Sequence, residues 1–459
     1  MKILFCSSEV VPFAKTGGLA DVAGALPLAL EKEGCQVKVA LPKYRSVKTS
    51  GPSAKMGKAI EVLLIDNPRY FDRAGLYGES QGDYPDNLER FGFFCQKLLY
   101  LLEEKKFRPD IIHCNDWQTA LIPIYLNTLL KDNPFYARTK TVFTIHNLAY
   151  QGLFPAEKME ATGLGWELFN MHELEFYGKI SLLKGALVFS RFITTVSPTY
   201  AKEIQDAEFG CGLEGVLRER GNDLFGIING IDYSIWDPST DSEIAEKFSP
   251  DNPEKKAANK EDLQRLVGLP AQKNVPLIGV ITRLAQQKGI ELIISALGKM
   301  VKSKMQFVLL GTGDEKYHAL MHEIIKKKYP NIAIHLRFDA TLAKKIYAGS
   351  DMFLMPSYYE PCGLGQLISL KYGTIPIVRK TGGLADTIVD YNAYNDSGNG
   401  FVFEHFTEEE MWSAIERALE VYSQKKKWQA LMRRAMEADF SWGASARKYI
   451  ELYKRAVHE

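Results

Sequence analysis

The heptapeptide KTGGLAD occupies residues 15–21 and recurs without change as residues 380–386. At even residue frequencies, an identical match of this length within the chain has a chance of roughly one in ten thousand, so we treat the repeat as meaningful. In each copy a Gly-Gly pair stands directly before a predicted helix. The repeat therefore indicates two similar domains, each with a glycine turn that leads into the N-terminus of a helix.

The segments around both copies share one rhythm, in which short apolar stretches alternate with amphipathic ones. In the first half, strands are predicted over residues 1–7, 36–41, 110–114, 139–144, 192–196 and 224–228, and a helix over residues 19–33. In the second half, strands are predicted over residues 275–282, 306–311, 332–336, 352–355 and 374–378. This alternation predicts an α/β fold with two parallel sheets, each covered on both faces.

A polar segment rich in Pro, Ser, Asp and Lys separates the two halves at residues 231–260. At 459 residues the chain exceeds what one hydrophobic core comfortably fills. We place the boundary near Asp237, with one domain over residues 1–236 and a second over residues 237–440. Residues 441–459 are predicted to form a helix, which the residues alone assign to the second domain.

Composition argues against several functional classes. Lys plus Arg (57) nearly balance Asp plus Glu (56), so no net charge favours nucleic acid or an anionic membrane as a partner. The N-terminal apolar run stops at Cys6, too short for a secretory signal, and no segment approaches a membrane span. The six cysteines are scattered without a CxxC pair, which argues against a zinc site or a disulfide framework and favours the cytoplasm.

The first heptapeptide copy has the features of an anion site. Gly17 and Gly18 allow backbone N–H groups to approach an anion closely, and Lys15 supplies a mobile positive charge. An ordinary tight turn explains either copy alone equally well. The duplication favours a ligand-binding role for both copies.

A loop with two cations follows the first predicted strand of the second half. The sequence TRLAQQKG at residues 282–289 places Arg283 and Lys288 between that strand and a predicted helix. Cations at the carboxyl end of a parallel strand suit a diphosphate. The alternative is that Arg283 is a surface cation and Lys288 a solubilising residue at a helix start.

The segment SYYEPCGLG at residues 357–365 is the most compact constellation in the chain. Glu360 lies between Pro and Gly turns, where a carboxylate is suited to accept hydrogen bonds from sugar or ribose hydroxyls. The alternative is that Glu360 is a turn residue and Cys362 a small buried apolar side chain. The residues alone are equally compatible with both interpretations.

Two predicted strand ends in the first half carry polar and aromatic residues. HCNDW ends one strand with Asp116, and TIHNLAYQG ends the next with His146. Carboxylate, imidazole and aromatic groups together suit recognition of a polyhydroxyl ligand. A lone histidine at a strand end is more often structural, and NGID at residues 229–232 is by default a turn.

Motifs for metal binding and for other catalytic classes are missing from the sequence. His318 and His322 lie four residues apart on a predicted helix, but the glutamate of HExxH and a third ligand are absent. No GxxxxGK[ST] loop follows the first strand, and no GxSxG motif occurs. We therefore predict no metal site at the two histidines.

Eight motifs occur in a fixed order along the chain. They are KTGGLADV, HCNDW, TIHNLAYQG, TVSPTYAKEI, NGID, TRLAQQKG, SYYEPCGLGQ and RKTGGLADT. In these motifs and their order the chain closely resembles the bacterial and plant glycogen/starch synthase family. Any one motif can arise by chance, but the ordered set is specific and spans nearly the whole chain.

The resemblance implies a fold and an activity. It implies two Rossmann-like domains facing a deep cleft, the GT-B architecture, with the C-terminal helix crossing back to the first domain. It implies a retaining glucosyltransferase that moves glucose from ADP-glucose to the non-reducing 4-hydroxyl end of glycogen or another α-1,4-glucan. No metal ion or other cofactor is expected, since Lys15, Arg283 and Lys288 would neutralise the diphosphate.

The resemblance also implies roles for single residues. Glu360 with Cys362, Gly363 and Leu364 would hold the donor glucose and ribose. The glucose and acceptor side would be lined by Asp116, His146 and Asn229. The remaining residues of the predicted substrate site belong to the two heptapeptide copies, namely Gly17, Gly18, Asp21, Thr381 and Gly382.

One segment resembles the acceptor-binding part of the family. It comprises Tyr77, Asp83, Tyr84, Asn87 and Arg90. The chain departs from the family pattern at two other positions: Gln118 stands where the family usually has His, and Tyr358 stands where a basic residue is common.

The expected mechanism is front-face attack by the acceptor hydroxyl, with its proton passing to the leaving phosphate. The sequence offers no evident second carboxylate for a covalent intermediate of the kind that retaining glycosidases form. The alternatives are another GT-B nucleotide-sugar transferase or epimerase, an α-glucan phosphorylase with pyridoxal phosphate, and a non-catalytic glucan-binding protein.

Overall fold

The computed structural model describes residues 1–49, 51–79 and 82–459. The chain forms two compact units. Unit 1 comprises Met1–Gly230 together with Trp442–Glu459, and unit 2 comprises Ile231–Ser441. Each unit has its own sheet, so the predicted α/β fold with two parallel sheets is confirmed.

The polar segment that follows Gly230 is packed into unit 2. The backbone N–H of Ile231 donates to Phe440 O (2.8 Å), and the buried carboxylate of Asp241 accepts from Tyr372 Oη (2.6 Å). Because these contacts tie down the start of the segment, the unit boundary precedes the predicted position at Asp237.

The strands and helices of unit 1 follow the predicted alternation. Its strands are β1 (Lys2–Cys6), β2 (Gln36–Pro42), β3 (Ser53–Met56), β4 (Ile60–Ile65), β5 (Gly78–Glu79), β6 (Gly82–Asp83), β7 (Ile111–Asn115), β8 (Lys140–Ile145), β9 (Leu153–Pro155), β10 (Glu175–Phe176), β11 (Lys179–Ser181), β12 (Phe192–Thr195) and β13 (Leu224–Gly226). Its helices up to Gly230 are α1 (Gly18–Lys32), α2 (Pro68–Phe71), α3 (Asn87–Glu104), α4 (Leu121–Asn127), α5 (Leu182–Phe189), α6 (Pro198–Glu203) and α7 (Glu214–Glu219).

The main sheet of unit 1 has, among the described residues, the strand order β13-β12-β8-β7-β1-β2-β4-β3. Its strands are parallel except β3, which runs antiparallel to β4 at one edge. In β1, Ile3, Leu4 and Phe5 have no exposed surface, as expected for a parallel sheet covered on both faces. The antiparallel edge and a small sheet of order β10-β11-β9 were not predicted.

Unit 2 contains a second sheet and its own helices. The strands are β14 (Leu277–Leu284), β15 (Gln306–Gly313), β16 (Ile332–His335), β17 (Met352–Met355), β18 (Ile375–Arg379) and β19 (Phe401–Phe403). The helices are α8 (Lys256–Leu266), α9 (Ile290–Lys302), α10 (Glu315–Lys326), α11 (Ala340–Gly349), α12 (Gly365–Lys371), α13 (Gly382–Thr387), α14 (Glu408–Ser423) and α15 (Lys425–Glu437). Within the part of the chain described, the sheet order is β16-β15-β14-β17-β18-β19, all parallel.

The last helix, α16 (Trp442–His458), belongs to unit 1 although it follows unit 2 in the chain. It packs against α1, and Tyr453 Oη lies 2.6 Å from Nδ1 of the buried His113 on β7. Ser445 Oγ donates to Ile228 O (2.6 Å). Burial lowers the pKa of His113 to about 3, so this histidine is a neutral hydrogen-bonding group of the core.

In both units, loops at the carboxyl ends of the parallel strands carry the residues predicted to bind substrate. This is the edge at which open α/β sheets bind their ligands. Among the described helices, none has the length and apolar character needed to cross a membrane.

Candidate active site

Unit 2 has a cavity of about 230 Å³ at the carboxyl ends of β14 and β17. Predicted site residues from both loops line it, and these are Arg283, Lys288, Glu360, Gly363 and Leu364. Two separate motifs, TRLAQQKG and SYYEPCGLG, therefore contribute to one cavity. Together they present cations, a carboxylate and backbone groups to a ligand.

Lys288 and Glu360 form an ion pair in this cavity. Lys288 Nζ lies 2.6 Å from Glu360 Oε2, and Ser357 Oγ donates to the same oxygen (3.0 Å). The Glu360 side chain is only 7% exposed, whereas Lys288 is 21% exposed. A buried carboxylate needs such partners, because desolvating an unpaired charge is costly. Arg283, a second cation of the lining, is exposed.

A glycine brings the two loops of the cavity together. Gly289 ends the turn that carries Lys288, with φ +69°, and a Cβ there would lie 2.0 Å from Pro356 O. Only glycine tolerates both the left-handed conformation and this approach. Tyr358 N–H then donates to Gln287 O (2.8 Å), which fixes the loop of Glu360 against the loop of Lys288.

The second heptapeptide copy packs against the backbone of the loop that carries Glu360. Gly383 N–H donates to Glu360 O (3.1 Å) and to Pro361 O (3.2 Å). A Cβ on Gly382 would lie 2.0 Å from Glu360 O, and one on Gly383 would lie 2.0 Å from Cys362 O. Thr381, Gly382 and Gly383 are buried, so the copy acts here through backbone packing.

One residue that orders the lining of this cavity, Arg379, was missed by the sequence reasoning. Arg379, just before the second copy, donates through Nε to Ser357 O (3.0 Å) and also bonds Tyr358 O, so it orders the loop that carries Glu360. Phe338, which follows β16, is 87% exposed. This exposure is a property of the fold and cannot be read from the sequence.

The first heptapeptide copy in unit 1 is open to solvent. Lys15, Gly17 and Gly18 are exposed, and a Cβ on either glycine would meet nothing within 4 Å. Lys15 Nζ pairs with both carboxylate oxygens of Asp21 (2.6 and 2.8 Å). The loop thus has free space directly over its glycines.

Glu9 holds this loop and was not predicted as a site residue. Its carboxylate is buried and accepts from the N–H and Oγ1 of Thr16 (2.5 Å each) and from the Gly17 N–H (3.0 Å). Tyr77 Oη also donates to it (2.7 Å). Glu9 therefore links the glycine loop to the segment that resembles the acceptor-binding part of the family. An isolated Glu at the end of a buried strand was the available signal.

Asp116 and His146 lie side by side at the ends of β7 and β8. Asp116 Oδ1 accepts from the His146 N–H (2.8 Å). Burial raises the pKa of Asp116 to about 7. The nearby charge of Glu9 raises this pKa further, whereas the hydrogen bond from the His146 N–H lowers it. Asp116 also has φ +55°, an unusual conformation for a residue other than glycine, and such strain is concentrated at functional sites.

His146 is neutral and held in one orientation. Burial lowers its pKa to about 3. Its Nε2 lies 2.9 Å from Asn115 Oδ1, and because Asn115 Nδ2 donates to Cys6 O (2.9 Å), Oδ1 is an acceptor and Nε2 is assigned the proton. In this tautomer Nδ1 is a hydrogen-bond acceptor.

The segment predicted to bind the acceptor divides into a buried part and an exposed part. Arg90 is fully buried and donates to Tyr70 O, Leu76 O and Asn87 Oδ1. The buried Asn87 donates in turn to Tyr77 O (2.9 Å). These two side chains order the loop before β5.

Tyr84 and Asp83 remain at the surface of this segment. Asp83 is exposed and Tyr84 half-buried, with Tyr84 Oη donating to Glu79 Oε1 (2.7 Å). The Gly75 N–H donates to the same hydroxyl (3.2 Å). Tyr84 therefore combines an accessible ring with an ordered hydroxyl group.

Asn229 and Gln118 are buried, and each has an oxygen without a hydrogen-bond partner among the described residues. These are Asn229 Oδ1 and Gln118 Oε1. A buried acceptor that lacks a partner calls for an explanation, and an absent ligand or water is one. Asn229 was predicted as a substrate residue, and Gln118 replaces the usual His of the family.

The histidine pair discounted as a metal site has a local role. His318 Nε2 lies 3.1 Å from the Gly313 N–H and from Thr312 Oγ1. The neighbouring His322 lies 6.5 Å away, ring to ring. Throughout the described residues, no group of three or more His, Cys, Asp or Glu side chains is placed to hold a metal ion.

Comparison with protein families matches both units of the chain. Residues 2–219 match the family described as the starch synthase catalytic domain, and residues 267–434 match the family of glycosyl transferases group 1.

Related proteins match the chain over its full length. The glycogen synthase of Geotalea daltonii is 50% identical, over 99% of this chain and 98% of that protein. Glycogen synthase 2 of Geobacter sulfurreducens is also 50% identical, over 100% and 99% respectively.

Solved structures of glycosyltransferases share the fold. The catalytic domain of starch synthase IV from Arabidopsis thaliana, bound to ADP and acarbose, has a TM-score of 0.90 and 35% identity, and the match covers 100% of this chain and 99% of that chain. Sucrose-phosphate synthase from Thermosynechococcus elongatus has a TM-score of 0.65 at 16% identity, over 99% and 98% respectively, and it shares the fold alone. The chain belongs to the glycogen synthase family of GT-B glycosyltransferases and transfers glucosyl units in glycogen synthesis.

Proposed function

We propose that the donor is ADP-glucose and that glucose is added, with retention of anomeric configuration, to the non-reducing 4-hydroxyl end of an α-1,4-glucan. The observation that carries this proposal is the cavity of unit 2, where Arg283, Lys288 and the buried Glu360 meet. This combination suits a ligand with a diphosphate at one end and hydroxyl groups at the other.

The charges of the cavity support a diphosphate ligand. Lys288 is paired with Glu360, and Arg283 is a second cation in the lining. When the glycosyl–phosphate bond breaks, negative charge accumulates on the departing phosphate, where fixed cations stabilise it. We assign this role to Arg283 and Lys288, and we assign Lys15 of unit 1 to the same phosphates.

Glu360 is proposed to hold the donor sugar. A carboxylate accepts hydrogen bonds from neighbouring hydroxyls of glucose, and Lys288 and Ser357 fix the position of its Oε2. Gly363 and Leu364 follow directly, and their backbone at the cavity wall is available to the donor. Cys362 is buried beneath, with its carbonyl fixed by Gln366 Nε2 (2.9 Å), so its proposed part is to keep this backbone in place.

The choice of adenine nucleotide rests on two supports. The starch synthase IV catalytic domain, 35% identical to this chain, was solved bound to ADP. In unit 2, the exposed ring of Phe338 lies in the loop after β16, at the sheet edge that carries Arg283. We propose that Phe338 stacks on the nucleotide base.

In unit 1, Asp116 and His146 are proposed to bind glucose and the acceptor. The neutral His146 offers Nδ1 as an acceptor for a sugar hydroxyl, and Asp116 has a pKa near neutrality. Asn229, whose Oδ1 has no hydrogen-bond partner among the described residues, and the half-buried Tyr84 are proposed as further contacts. The open loop of the first heptapeptide copy contains Gly17, Gly18 and Asp21. In the second copy, Thr381 and Gly382 support the loop of Glu360 through backbone packing.

The proposed reaction is a front-face displacement. The bond between glucose C1 and the phosphate oxygen breaks first, with an oxocarbenium-like sugar and a negatively charged phosphate. The acceptor 4-hydroxyl then attacks C1 from the same face and passes its proton to the leaving phosphate. Trapping of a glucosyl ester on Asp116 or Glu360, detected by mass spectrometry, would contradict this scheme and favour a covalent intermediate.

The test is nucleotide release from ADP-glucose and from UDP-glucose, with and without glycogen, for the wild type and for Lys288→Ala. Glycogen-dependent ADP release that falls about 100-fold or more in the variant supports the donor and the site. A preference for UDP-glucose would overturn the donor assignment. Unchanged activity of the variant would overturn the site.

We also propose that the enzyme works in the cytoplasm. All six cysteines of the chain are free thiols. Such unpaired cysteines are typical of proteins from a reducing compartment. Fractionation of the producing cells, with detection of the chain by antibody, tests this assignment.

A further inference from the structure

Unit 1 contains a second cavity, of about 470 Å³, at the amino ends of β8 and β12. Its wall is formed by the end of α4, the loop that leads to β8, the end of α5 and the two residues before β12. Its volume lies in the range of small-molecule sites, roughly 300 to 1,000 Å³. None of the residues predicted to serve glucosyl transfer lines it.

This cavity lies at the opposite end of the sheet from the candidate active site. Lys140 opens β8 at the cavity, whereas Ile145 closes that strand next to His146. A six-residue strand spans roughly 17 Å. A ligand bound at Lys140 is therefore separate from the substrate-binding edge of unit 1.

The lining of the cavity is positively charged. Lys131, Lys140, Arg191 and Arg220 line it, and among the described lining residues there is no carboxylate. The ion pairs that the structure describes in this region join Arg191 and Arg220 to Asp223, and Arg191 to Glu459. These pairs leave the charges of Lys131 and Lys140 uncompensated.

Arg220 orders one side of the cavity through hydrogen bonds to backbone oxygens. Its guanidinium donates to Val188 O (2.9 Å) and Ser190 O (2.8 Å), and so orders the turn that follows α5. That turn presents Ser190 and Arg191 to the cavity. The positions of these two residues are thus fixed by a buried hydrogen-bond network.

Two polar atoms of this turn lack a partner. Ser190 is 3% exposed, and neither its Oγ nor the buried Nε of Arg191 has a hydrogen bond among the described residues. Leaving buried donors unpaired is costly, and an unobserved ion or ligand is one of the few explanations. Arg191 Nε can only donate and Ser190 Oγ can donate, so a ligand with several acceptor oxygens suits both atoms.

We propose that this cavity is an anion site for a phosphate group, either free or as the ester of a small metabolite. Lys131 and Lys140 supply charge, while Arg191 Nε and Ser190 Oγ supply directed donors once the oxyanion is in place. Oxyanions of this kind carry several acceptor oxygens and match such a set of donors. The volume leaves space for an attached group of about the size of a monosaccharide.

The test is equilibrium dialysis of radiolabelled orthophosphate against the full chain, with excess ADP present to block the cavity of unit 2. We expect about one phosphate per chain to remain bound under these conditions. The variant Lys131→Gln/Lys140→Gln is expected to weaken binding at least tenfold, and Ser190→Ala about threefold. Lys426→Gln, which removes an exposed charge of unit 2, serves as the control and is expected to change nothing.

Three outcomes would overturn the proposal. They are displacement of all phosphate by ADP, no phosphate bound at millimolar concentration, and unchanged affinity in the double lysine variant. Both lysines are at least partly exposed, so thermal unfolding is expected to show a folded variant.

Competition by glucose 1-phosphate distinguishes the two sources of the anion. If glucose 1-phosphate displaces the labelled phosphate at least tenfold more effectively than unlabelled orthophosphate does, the ligand is a phosphate ester. If the two compounds displace the label equally, the ligand is the free anion. Glucose itself is expected not to compete, and competition by glucose would contradict an anion site.

Discussion

The two copies of KTGGLAD are identical in sequence and differ in what surrounds them. In the first copy Thr16, Gly17 and Gly18 are exposed, whereas in the second Thr381, Gly382 and Gly383 are buried. An added Cβ on Gly17 or Gly18 would meet nothing within 4 Å. An added Cβ on Gly382 or Gly383 would collide with the backbone of the loop that carries Glu360.

The hydrogen bonds of the two copies differ in the same way. The first copy donates its N–H groups to the side chain of Glu9, and the second donates to the backbone oxygens of Glu360 and Pro361. Lys15 pairs with Asp21 of its own copy, but Lys380 pairs with Glu404. One sequence thus supplies a loop open to a ligand in unit 1 and a support for a binding loop in unit 2.

The largest expected difference between the copies is in catalysis. Lys15→Ala is expected to lower kcat about 100-fold to 1,000-fold, because it removes a cation proposed to act on the leaving phosphate. Lys380→Ala, the matched change in the second copy, is expected to alter kcat less than about threefold, since it breaks only an exposed ion pair. Glycogen-dependent nucleotide release measures both. Equal losses in the two variants would show that the copies do not differ in function.

A second difference concerns stability. Gly383→Ala is expected to lower the free energy of unfolding by about 3 kcal/mol, because the added Cβ would lie 2.0 Å from Cys362 O. At Gly18, the first residue of α1, an added Cβ would meet nothing within 4 Å. Gly18→Ala is therefore expected to raise the free energy of unfolding by about 0.5 kcal/mol. Denaturant unfolding of the two variants gives both values.

Activity separates these glycine variants further. Gly18→Ala is expected to reduce activity despite its gain in stability, since its methyl group occupies the space proposed for the ligand. Gly298→Ala, on α9 with nothing within 4 Å, is the control for an added methyl group in unit 2. Full activity in Gly18→Ala would contradict a ligand over the first copy.

The third prediction concerns the support of the first copy. Glu9→Gln leaves one acceptor oxygen where the carboxylate has two, and is expected to lower the free energy of unfolding by about 1–2 kcal/mol. Glu33→Gln, which changes an exposed carboxylate of the same unit, is the control. Urea denaturation compares the two.

A pH profile shows whether Glu9 also acts on Asp116. The pKa of Asp116 is about 7 in the folded chain and near 3.8 when unfolded, so the folded state binds an extra proton between these values. Stability contributed by this group therefore falls as pH rises from about 4 to 7. Without the charge of Glu9 the pKa of Asp116 falls, so in Glu9→Gln this decline is expected to be smaller and to end at lower pH. An unchanged decline would mean that the two carboxylates do not interact.

The smallest expected effect is that of the exposed ion pairs. Asp21→Asn and Glu404→Gln each break the lysine pair of one copy, and each is expected to change the free energy of unfolding by less than about 0.5 kcal/mol. Of the two variants, only Asp21→Asn is expected to raise the KM for the donor, by a few-fold. The reason is that Asp21 no longer fixes the ammonium group of Lys15. Thermal melts and initial rates measure the two quantities.

Much of this organisation could be predicted because it depends on local pattern. The strand Met352–Met355 was placed correctly to the residue, and the helix predicted over residues 19–33 forms over Gly18–Lys32. A continuous apolar run before a glycine turn is sufficient to identify a buried parallel strand and the loop at its carboxyl end. For the same reason Arg283, Lys288 and Glu360 could be placed at the carboxyl ends of strands, where they line one cavity.

The rest depends on contacts between distant segments. The support of Glu9 for Thr16 and Gly17 involves a single buried carboxylate with no motif around it. Arg90 and Asn87 are held by hydrogen bonds to the backbone of Tyr70, Leu76 and Tyr77, and no local pattern around the two residues marks these contacts. Identical heptapeptides predict identical turns, and the difference between the copies arises only from the loops packed against them.

The place of α16 has a consequence for how the chain is made. Unit 2 is continuous in sequence, whereas unit 1 receives α16 from residues that follow unit 2 in the chain. This helix is therefore translated only after the whole of unit 2. Until then the side of β7 that carries His113 is without its partner Tyr453. In this enzyme the N-terminal unit, although its strands are made first, therefore completes this contact only after all of unit 2 has been synthesised.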